Sequence, residues 1–208
     1  MKKGLLLLNA TGGFDATVLE AADDHGVYWE DIVAGSGSAL DALGVKGAPR
    51  EALLELVSSG WCDREVDRCE KKGIQIIFFG EACYPSMLND LRDPPLVLYA
   101  RGKGLPSGDA VAVVGTRKCT SYGSSCAYDL ASMLAGAGVT VVSGGAMGID
   151  GAAHRGSIDS GGRTVAVIGT GADIFYPAQH ASLFGEIMEE GVLLGEFPLG
   201  TPPRPWQF

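Results

Sequence analysis

The chain has 208 residues, enough for one large domain or two small ones, and its formal net charge is −9. This acidic balance argues against a protein that coats nucleic acid with its whole surface. The charge is uneven, because residues 1–70 hold 6 Lys and Arg against 13 Asp and Glu, whereas residues 71–208 hold 10 against 12. The nearly neutral second part leaves room for a local basic pocket.

Cysteine spacing and the length of apolar runs narrow the class of protein further. The five cysteines form no CxxC pair, which predicts free thiols in a reducing cytoplasm and neither a metal site nor a disulfide framework. No apolar segment approaches the roughly 18 residues of a membrane span. The run Leu5–Leu8, after Lys2 and Lys3, is too short for a signal peptide. We therefore expect a cytoplasmic protein without a membrane partner.

Residues 1–70 are predicted to form a small domain of short helices. Apolar residues between Leu40 and Val57 recur near helical spacing, with Gly and Pro between the segments. The segment LGVKGAPREALLEL (43–56) predicts a turn that leads into a helix, with Pro49 in its first turn. Because this region is acidic, its helical turns are expected to serve packing and not contact with DNA.

Residues 71–208 are predicted to form one α/β domain with a parallel sheet. Strands are expected at 74–79, 96–100, 111–114, 139–142, 164–168 and 192–194, and helices at 123–137, 149–159 and 181–190. In the first of these helices one shared face is predicted, formed by Leu130, Met133, Leu134 and Ala137. Apolar strands that alternate with helices are typical of a sheet that is buried on both sides and binds ligands at the carboxyl ends of its strands.

Three loops at those strand ends are the candidate site. They are GTRKCTSYG (115–123), SGGAMGIDGAAHRG (143–156) and GTGADIFYP (169–177). The second loop resembles a phosphate cradle, because its glycines bring the backbone close to a ligand at the start of a helix. It has neither a GxGxxG fingerprint nor a Walker A motif. Arg117 and Lys118 add positive charge, and Ser121 and Tyr122 add hydroxyl donors, so the predicted ligand is a phosphate backbone.

Several residues near these loops allow two interpretations. Aromatic residues could stack on unpaired bases or cap the sheet; they are Tyr122, Phe175 and Tyr176. Asp150 is expected to tie down the start of its helix, and His154 serves either an interior hydrogen bond or a ligand. Arg155 faces the pocket or solvent. A Ser143–His154–Asp150 triad is disfavoured, because no GxSxG elbow surrounds Ser143.

Five segments that occur in one order with close spacing support a family resemblance. They are YPSMLNDLRDPPLVLYARG, VAVVGTRKCTSYG, VVSGGAMGIDGAAHRG, GGRTVAVIGTGADIFYP and GVLLGEFPLGTPP. Together they resemble the DNA-processing protein A family (DprA, also called Smf). The resemblance covers residues 71–203 and suits the helical stretch before them. Each motif alone is modest, but the ordered set is specific.

The resemblance implies an extended Rossmann-like fold after a helical domain similar to a sterile-alpha-motif fold. It also implies a cytoplasmic bacterial protein that binds single-stranded DNA during natural transformation, helps to load the RecA recombinase and forms a homodimer. No enzyme activity, cofactor or metal is expected. The family motifs that meet DNA phosphates correspond here to Gly115, Thr116, Arg117, Ser143, Gly144, Gly145 and Ala146. Our own prediction adds Lys118, Ser121, Tyr122, Gly148 and Arg155.

The sequence departs from the family pattern in three places. Met147 stands where Arg is frequent, and Gly195 stands where Ser is usual before Glu. The chain ends at PRPWQF, where the family continues through further strands and helices, so we expect a truncated chain that is poorly soluble as a monomer or associates through an exposed sheet edge.

Two other functions stay open from the sequence. One is a nucleotide phosphoribohydrolase, which would use the same glycine-rich pocket with Asp150 or Glu196 to stabilise positive charge on a ribose. The other is an interaction fragment without binding activity of its own.

Overall fold

The structure, a computed structural model, describes residues 2–12, 14 and 17–208. It separates into two compact units. The first contains Met1–Lys71 and Ile76–Leu98, and the second contains Lys72–Gln75 and Tyr99–Phe208. The predicted division into domains at residue 70, and the likeness of the first domain to a sterile-alpha-motif fold, stay predictions.

The first unit is built around a helix that is apolar on every side. The described residues of this unit form the helices α1 (Lys3–Thr11), α2 (Thr17–Asp24), α3 (Trp29–Val33), α4 (Gly37–Ala42), α5 (Gly47–Ser58) and α6 (Trp61–Lys71). The run Leu5–Leu8 is buried in α1, which packs against α3, α5 and α6. A helix without a polar face is stable in water only when other elements cover it. The leucine run is therefore the core of this unit.

A six-stranded mixed sheet carries the α/β fold. Its strands are β1 (Ile74–Phe78), β2 (Val97–Gly102), β3 (Ala110–Ala112), β4 (Thr140–Ser143), β5 (Thr164–Ile168) and β6 (Val192–Gly195). Their spatial order is β1-β2-β6-β5-β4-β3. Three helices belong to the second unit: α7 (Ser121–Gly136), α8 (Ile149–Asp159) and α9 (Ala181–Glu190). The α/β class and the alternation of strands and helices after residue 110 are confirmed.

Strand direction differs from the prediction at one pairing. Strands β3, β4, β5 and β6 are parallel, as predicted, with Ser143 opposite Ala166 and Ile168 opposite Gly195. Strand β2 runs antiparallel to β6, with Gly102 opposite Val192. The sheet is therefore mixed and not wholly parallel. An apolar run reports burial on both faces but carries no information on strand direction, so the sequence did not predict this pairing.

Helices α7 and α8 pack more closely than large side chains allow. The buried side chains of α7 are those of Ala127, Ala131 and Ala135. Leu130 and Met133, two members of the predicted shared face, are 44% and 66% exposed, so the buried face of α7 is a different one. The reason lies on α8, where a Cβ atom at Gly156 would approach the carbonyl oxygen of Tyr128 to 2.2 Å. At such a distance only small residues fit between the helices.

In the part of the chain that the structure describes, no helix combines the length and the apolar character that a bilayer crossing requires.

The close packing of these helices generates a prediction with a matched control. Replacing Gly156 with Ala places a methyl group against the backbone of α7, and we expect it to lower the free energy of unfolding by about 1–3 kcal/mol. Gly185 on α9 has open space around its Cα, so Gly185→Ala should raise stability by up to about 1 kcal/mol through helix propensity. Urea unfolding of both variants measures the difference. Equal shifts of the same sign would contradict the packing argument.

Candidate functional site

A hollow of about 450 Å³ lies at the carboxyl ends of the parallel strands. Four of the predicted site residues line it: Gly115, Arg117, Gly144 and Ala146. Strands β3, β4 and β5 end here side by side, because parallel neighbours present the same end to the same edge of the sheet. The first two predicted loops therefore meet in one place.

Arg117 offers a positive charge at this hollow. It is exposed, and it forms no salt bridge with any residue that the structure describes. Its guanidinium lies over the ring of Phe208, 5.8 Å from the ring centroid. A cation–π contact orients the guanidinium without neutralising it. Arg117 can therefore still pair with an anion.

The carboxylate of Asp150 holds two of the loops together. It accepts hydrogen bonds from the backbone N–H groups of Gly115 at 3.4 Å, Gly144 at 3.2 Å and Ala146 at 3.4 Å. Asp150 is only 7% exposed and lies in the first turn of α8. Asp150 therefore does not cap its own helix, as none of these N–H groups belongs to α8, but it links the first turn of α8 to the preceding loop and to the end of β3.

These bonds correct the prediction of a bare backbone cradle. Parallel strand ends leave N–H groups without sheet partners, and buried donors require an acceptor. In this protein a carboxylate of the chain itself satisfies three of them. Phosphate contact at those three amides would have to compete with Asp150. The guanidinium of Arg117 is thus more available to a phosphate than these three amides are.

The glycines of the second loop serve close approach of the protein to itself. Gly145 has a φ of +70°, and a Cβ atom there would lie 2.6 Å from the ring of Phe184. Gly148 has a φ of +86°, and its Cβ atom would lie 2.3 Å from the carbonyl oxygen of Thr116. That oxygen accepts the N–H of Ile149 at 3.3 Å. Direct phosphate contact by these glycines stays a prediction.

Ser143 is placed differently from the prediction. Its hydroxyl donates to the carbonyl oxygen of Val113 at 2.7 Å, and the residue is 2% exposed. A buried hydroxyl that bridges two strands has no access to a ligand. In the first loop the Thr116 hydroxyl accepts the N–H of Lys118 at 3.2 Å, while Lys118 itself is exposed.

Three other predicted residues do not line the Arg117 hollow. Ser121 and Arg155 line a separate hollow of about 640 Å³ between α7 and α8. Arg155 donates to both carboxylate oxygens of Glu186, a pairing that raises the pKa of Arg155 and lowers that of Glu186. Its charge is therefore already compensated. Tyr122 is 80% exposed on α7 and borders neither hollow.

An aromatic wall completes the Arg117 hollow, and sequence reasoning missed it. Phe197, Trp206 and Phe208 line the hollow, with Trp206 edge-on to Phe197 at 5.9 Å between centroids. All three follow β6, whose carboxyl end lies at the same edge of the sheet as those of β3 to β5. That adjacency was the signal that could have identified them.

The predicted aromatic residues divide between the two interpretations. Phe175 stacks on Phe184 with 5.6 Å between centroids, and Arg101 covers it at 5.6 Å, so its role is packing. Tyr176 is 43% exposed and lies 5.5 Å from the ring of Phe208, which connects it to the wall of the hollow.

His154 serves an interior hydrogen bond and not a ligand. It is fully buried, and its Nδ1 lies 2.7 Å from the hydroxyl oxygen of Thr164. That hydroxyl donates to the carbonyl oxygen of Val141 at 2.8 Å, so it accepts from His154 and the proton resides on Nδ1. Burial lowers the pKa of His154 to about 3, and nearby His180 adds to this effect. The ring is therefore neutral at ordinary pH.

The sheet and its flanking helices place the chain among the α/β proteins, and the exposed Arg117 lies where such folds bind ligands, at the carboxyl ends of the parallel strands. Residues 75–208 match the model of the family described as DNA recombination-mediator protein A, and the chain belongs to this family. The resemblance found in the sequence is thereby confirmed.

Individual relatives agree with the family assignment. The chain is 52% identical over 117 residues to the putative DNA processing protein DprA of Mycobacterium tuberculosis H37Rv, covering 55% of the chain and 30% of that protein. It is 37% identical over 140 residues to DprA of Bacillus subtilis, covering 66% and 47% respectively. The matched segments thus span between 30% and 47% of the length of these two relatives.

Two solved structures share the fold. DNA processing protein A of Streptococcus pneumoniae superposes with a TM-score of 0.79 at 25% identity, covering the whole chain and 71% of that structure. DNA processing protein A of Helicobacter pylori has a TM-score of 0.58 at 30% identity, covering 64% of the chain and 61% of that structure. The latter structure concerns the single-stranded DNA binding mode of that protein.

The bonds made by Asp150 generate a stability prediction. Asp150→Asn replaces one acceptor oxygen with an NH₂ group, which removes the acceptor of at least one of the three backbone N–H groups. We expect a loss of about 1–3 kcal/mol in the free energy of unfolding. Asp129→Asn, at an exposed position of α7, is the control and should shift stability by less than about 0.5 kcal/mol. Equal stability of the two variants in urea unfolding would contradict the role given to Asp150.

The buried neutral ring of His154 makes stability depend on pH. Its pKa in the folded state lies below the unfolded value of 6.5, so the contribution is complete above pH 6.5 and is lost as the pH falls toward 3. Between pH 7.5 and 5 the expected loss from this residue is about 2 kcal/mol. His154→Asn keeps a donor toward Thr164 without titrating and should flatten the curve. Urea unfolding across this range measures it, and an unchanged slope would argue against the assignment.

Proposed function

We propose that the chain binds single-stranded DNA through the Arg117 hollow, as part of DNA uptake in natural transformation. The observation that carries the proposal is the exposed, unneutralised Arg117 at the carboxyl ends of the parallel strands. The single-stranded DNA binding mode of the Helicobacter pylori relative supports the same ligand. A single strand combines a repeated negative charge with unpaired bases, and the hollow has a feature for each.

The charge side of the hollow suits the phosphates. Arg117 contacts one phosphate in this proposal, and exposed Lys118 attracts the strand next to it. Both charges release counterions from the strand, which supplies much of the binding free energy. Met147, where relatives often carry Arg, contributes no charge, so these two cations carry the electrostatic attraction.

The aromatic side of the hollow suits the bases. Trp206 is 68% and Phe208 53% exposed, so each ring has an open face. Val114 and Val167, which also line the hollow, extend the apolar surface. Stacking of a base on such a ring contributes about 1–3 kcal/mol and tolerates any sequence. The proposed activity is therefore binding without strong sequence preference.

The hydrolase alternative depends on two acids with different surroundings. Asp150 borders the hollow, but its carboxylate is largely buried and accepts three backbone N–H groups, so contact with a ribose would have to compete with those bonds. Glu196 lines the hollow, and partial desolvation raises its pKa. Glu196 is thus the acid to test, by assaying the release of free base from nucleoside monophosphates with the parent chain and with Glu196→Gln. The proposal of a non-catalytic protein expects no release from either.

Three further parts of the proposed function rest on membership of the family. They are a cytoplasmic location, the loading of the RecA recombinase and the formation of a homodimer. The five cysteines are free thiols, which supports a reducing compartment. For RecA and for the dimer, membership of the family is the support.

A salt titration of DNA binding tests the central proposal. We expect Arg117→Ala to weaken binding of a labelled single-stranded oligonucleotide and to reduce the slope of log K against log salt by about 1. Lys103→Ala is the control, since Lys103 pairs with Glu190 and follows the end of β2 that lies beside the amino end of β6. Lys103 therefore lies at the opposite ends of the strands from the carboxyl ends that form the hollow. Absence of binding at low salt, or equal slopes for both variants, would count against the proposal.

A further inference from the structure

His180 joins the third strand-end segment to the second loop. It ends the short 3₁₀ turn Ala178–His180, directly before α9. Its Nδ1 lies 3.0 Å from the carbonyl oxygen of Gly145. A carbonyl oxygen only accepts, so Nδ1 carries a proton and donates it to this bond. The loop that it reaches contributes Gly144 and Ala146 to the hollow.

The bond from His180 fixes one end of the peptide group that joins Gly145 to Ala146. The carbonyl group of Gly145 and the N–H group of Ala146 belong to the same planar peptide. His180 holds the first group, and Asp150 accepts the second at 3.4 Å. Two side chains from different helical segments thus fix both polar ends of one peptide plane. Loss of either bond leaves the peptide plane held at one end only.

Helix α8 and the ring of Phe184 restrict the position of the His180 imidazole. A Cβ atom at Gly151 would lie 2.6 Å from Cε1 of His180, so the ring lies directly on α8. Phe184, four residues later, meets the ring edge-on at 6.5 Å between centroids and also lies against Gly145. His180 and Phe184 therefore brace the same loop from the start of α9.

We infer that His180 is a positioning residue for the second loop, and that it acts on DNA binding without touching DNA. The inference rests on the proposed function and adds to the site a residue, His180, that shapes it without lining the hollow. A loop whose peptide plane is already fixed loses less conformational entropy when a ligand binds. His180 therefore raises affinity through the arrangement of Gly144 and Ala146 and not through charge.

Three substitutions separate this role from simple packing. His180→Asn places an amide nitrogen near the position of Nδ1 and keeps the bond to Gly145. His180→Gln places its nitrogen nearer the position of Nε2, and His180→Ala removes the donor. Thermal unfolding first shows whether each variant is folded. Amide hydrogen exchange at Gly144 and Ala146 then reports the loop without any ligand, and we expect faster exchange for Ala and Gln than for Asn. The same exchange rates in all three variants would overturn the inference.

DNA titration supplies the functional arm. We expect His180→Ala and His180→Gln to weaken oligonucleotide binding by about 2- to 10-fold, the equivalent of one hydrogen bond, with an unchanged salt slope. His180→Asn should bind as the parent does. Parent-like binding by all three would overturn the inference while leaving the proposed function intact. Failure of the parent chain to bind DNA would end the proposed function and the inference, whereas the exchange measurement would still report the loop.

Discussion

The candidate site depends on one carboxylate that is enclosed by backbone donors. Asp150 lies in the first turn of α8 and bonds to the end of β3 and to the second loop, so its hydrogen bonds hold these three segments together. Without it, the N–H groups of Gly115, Gly144 and Ala146 would lose their acceptor within the protein. The same carboxylate places a negative charge beside the hollow. The exposed Arg117 is what restores attraction for an anion there.

Glycine does its work in this protein mainly by letting protein surfaces meet. Gly156 allows α8 to approach α7, and Gly148 allows the second loop to approach the first. These contacts set the distance between the strand-end loops, on which the shape of the hollow depends. A glycine-rich loop therefore does not by itself indicate that a ligand touches its backbone, even when the loop lies at the right edge of a sheet.

Much of the fold was predictable because strand and helix periods are local properties of the sequence. The strands from β3 onward and helices α8 and α9 lie within two residues of their predicted bounds. The exposed side of α7 was not predictable, since it depends on how closely α8 approaches. Arg117 was found because charge after a strand is visible in one chain segment. Its partners Trp206 and Phe208 were missed, because their place depends on strand order across the sheet.

The strands on the two sides of the hollow also differ in how many neighbouring strands they pair with. Strand β6 is paired on both sides, with β2 and β5, and all four of its residues are buried. Among the described strands β3 pairs with β4 alone, and its residues are largely exposed. Local unfolding requires least free energy where paired neighbours are fewest. The aromatic rings thus follow a strand that is paired on both sides, whereas Arg117 follows an edge strand, so local unfolding on the arginine side is expected to require less free energy.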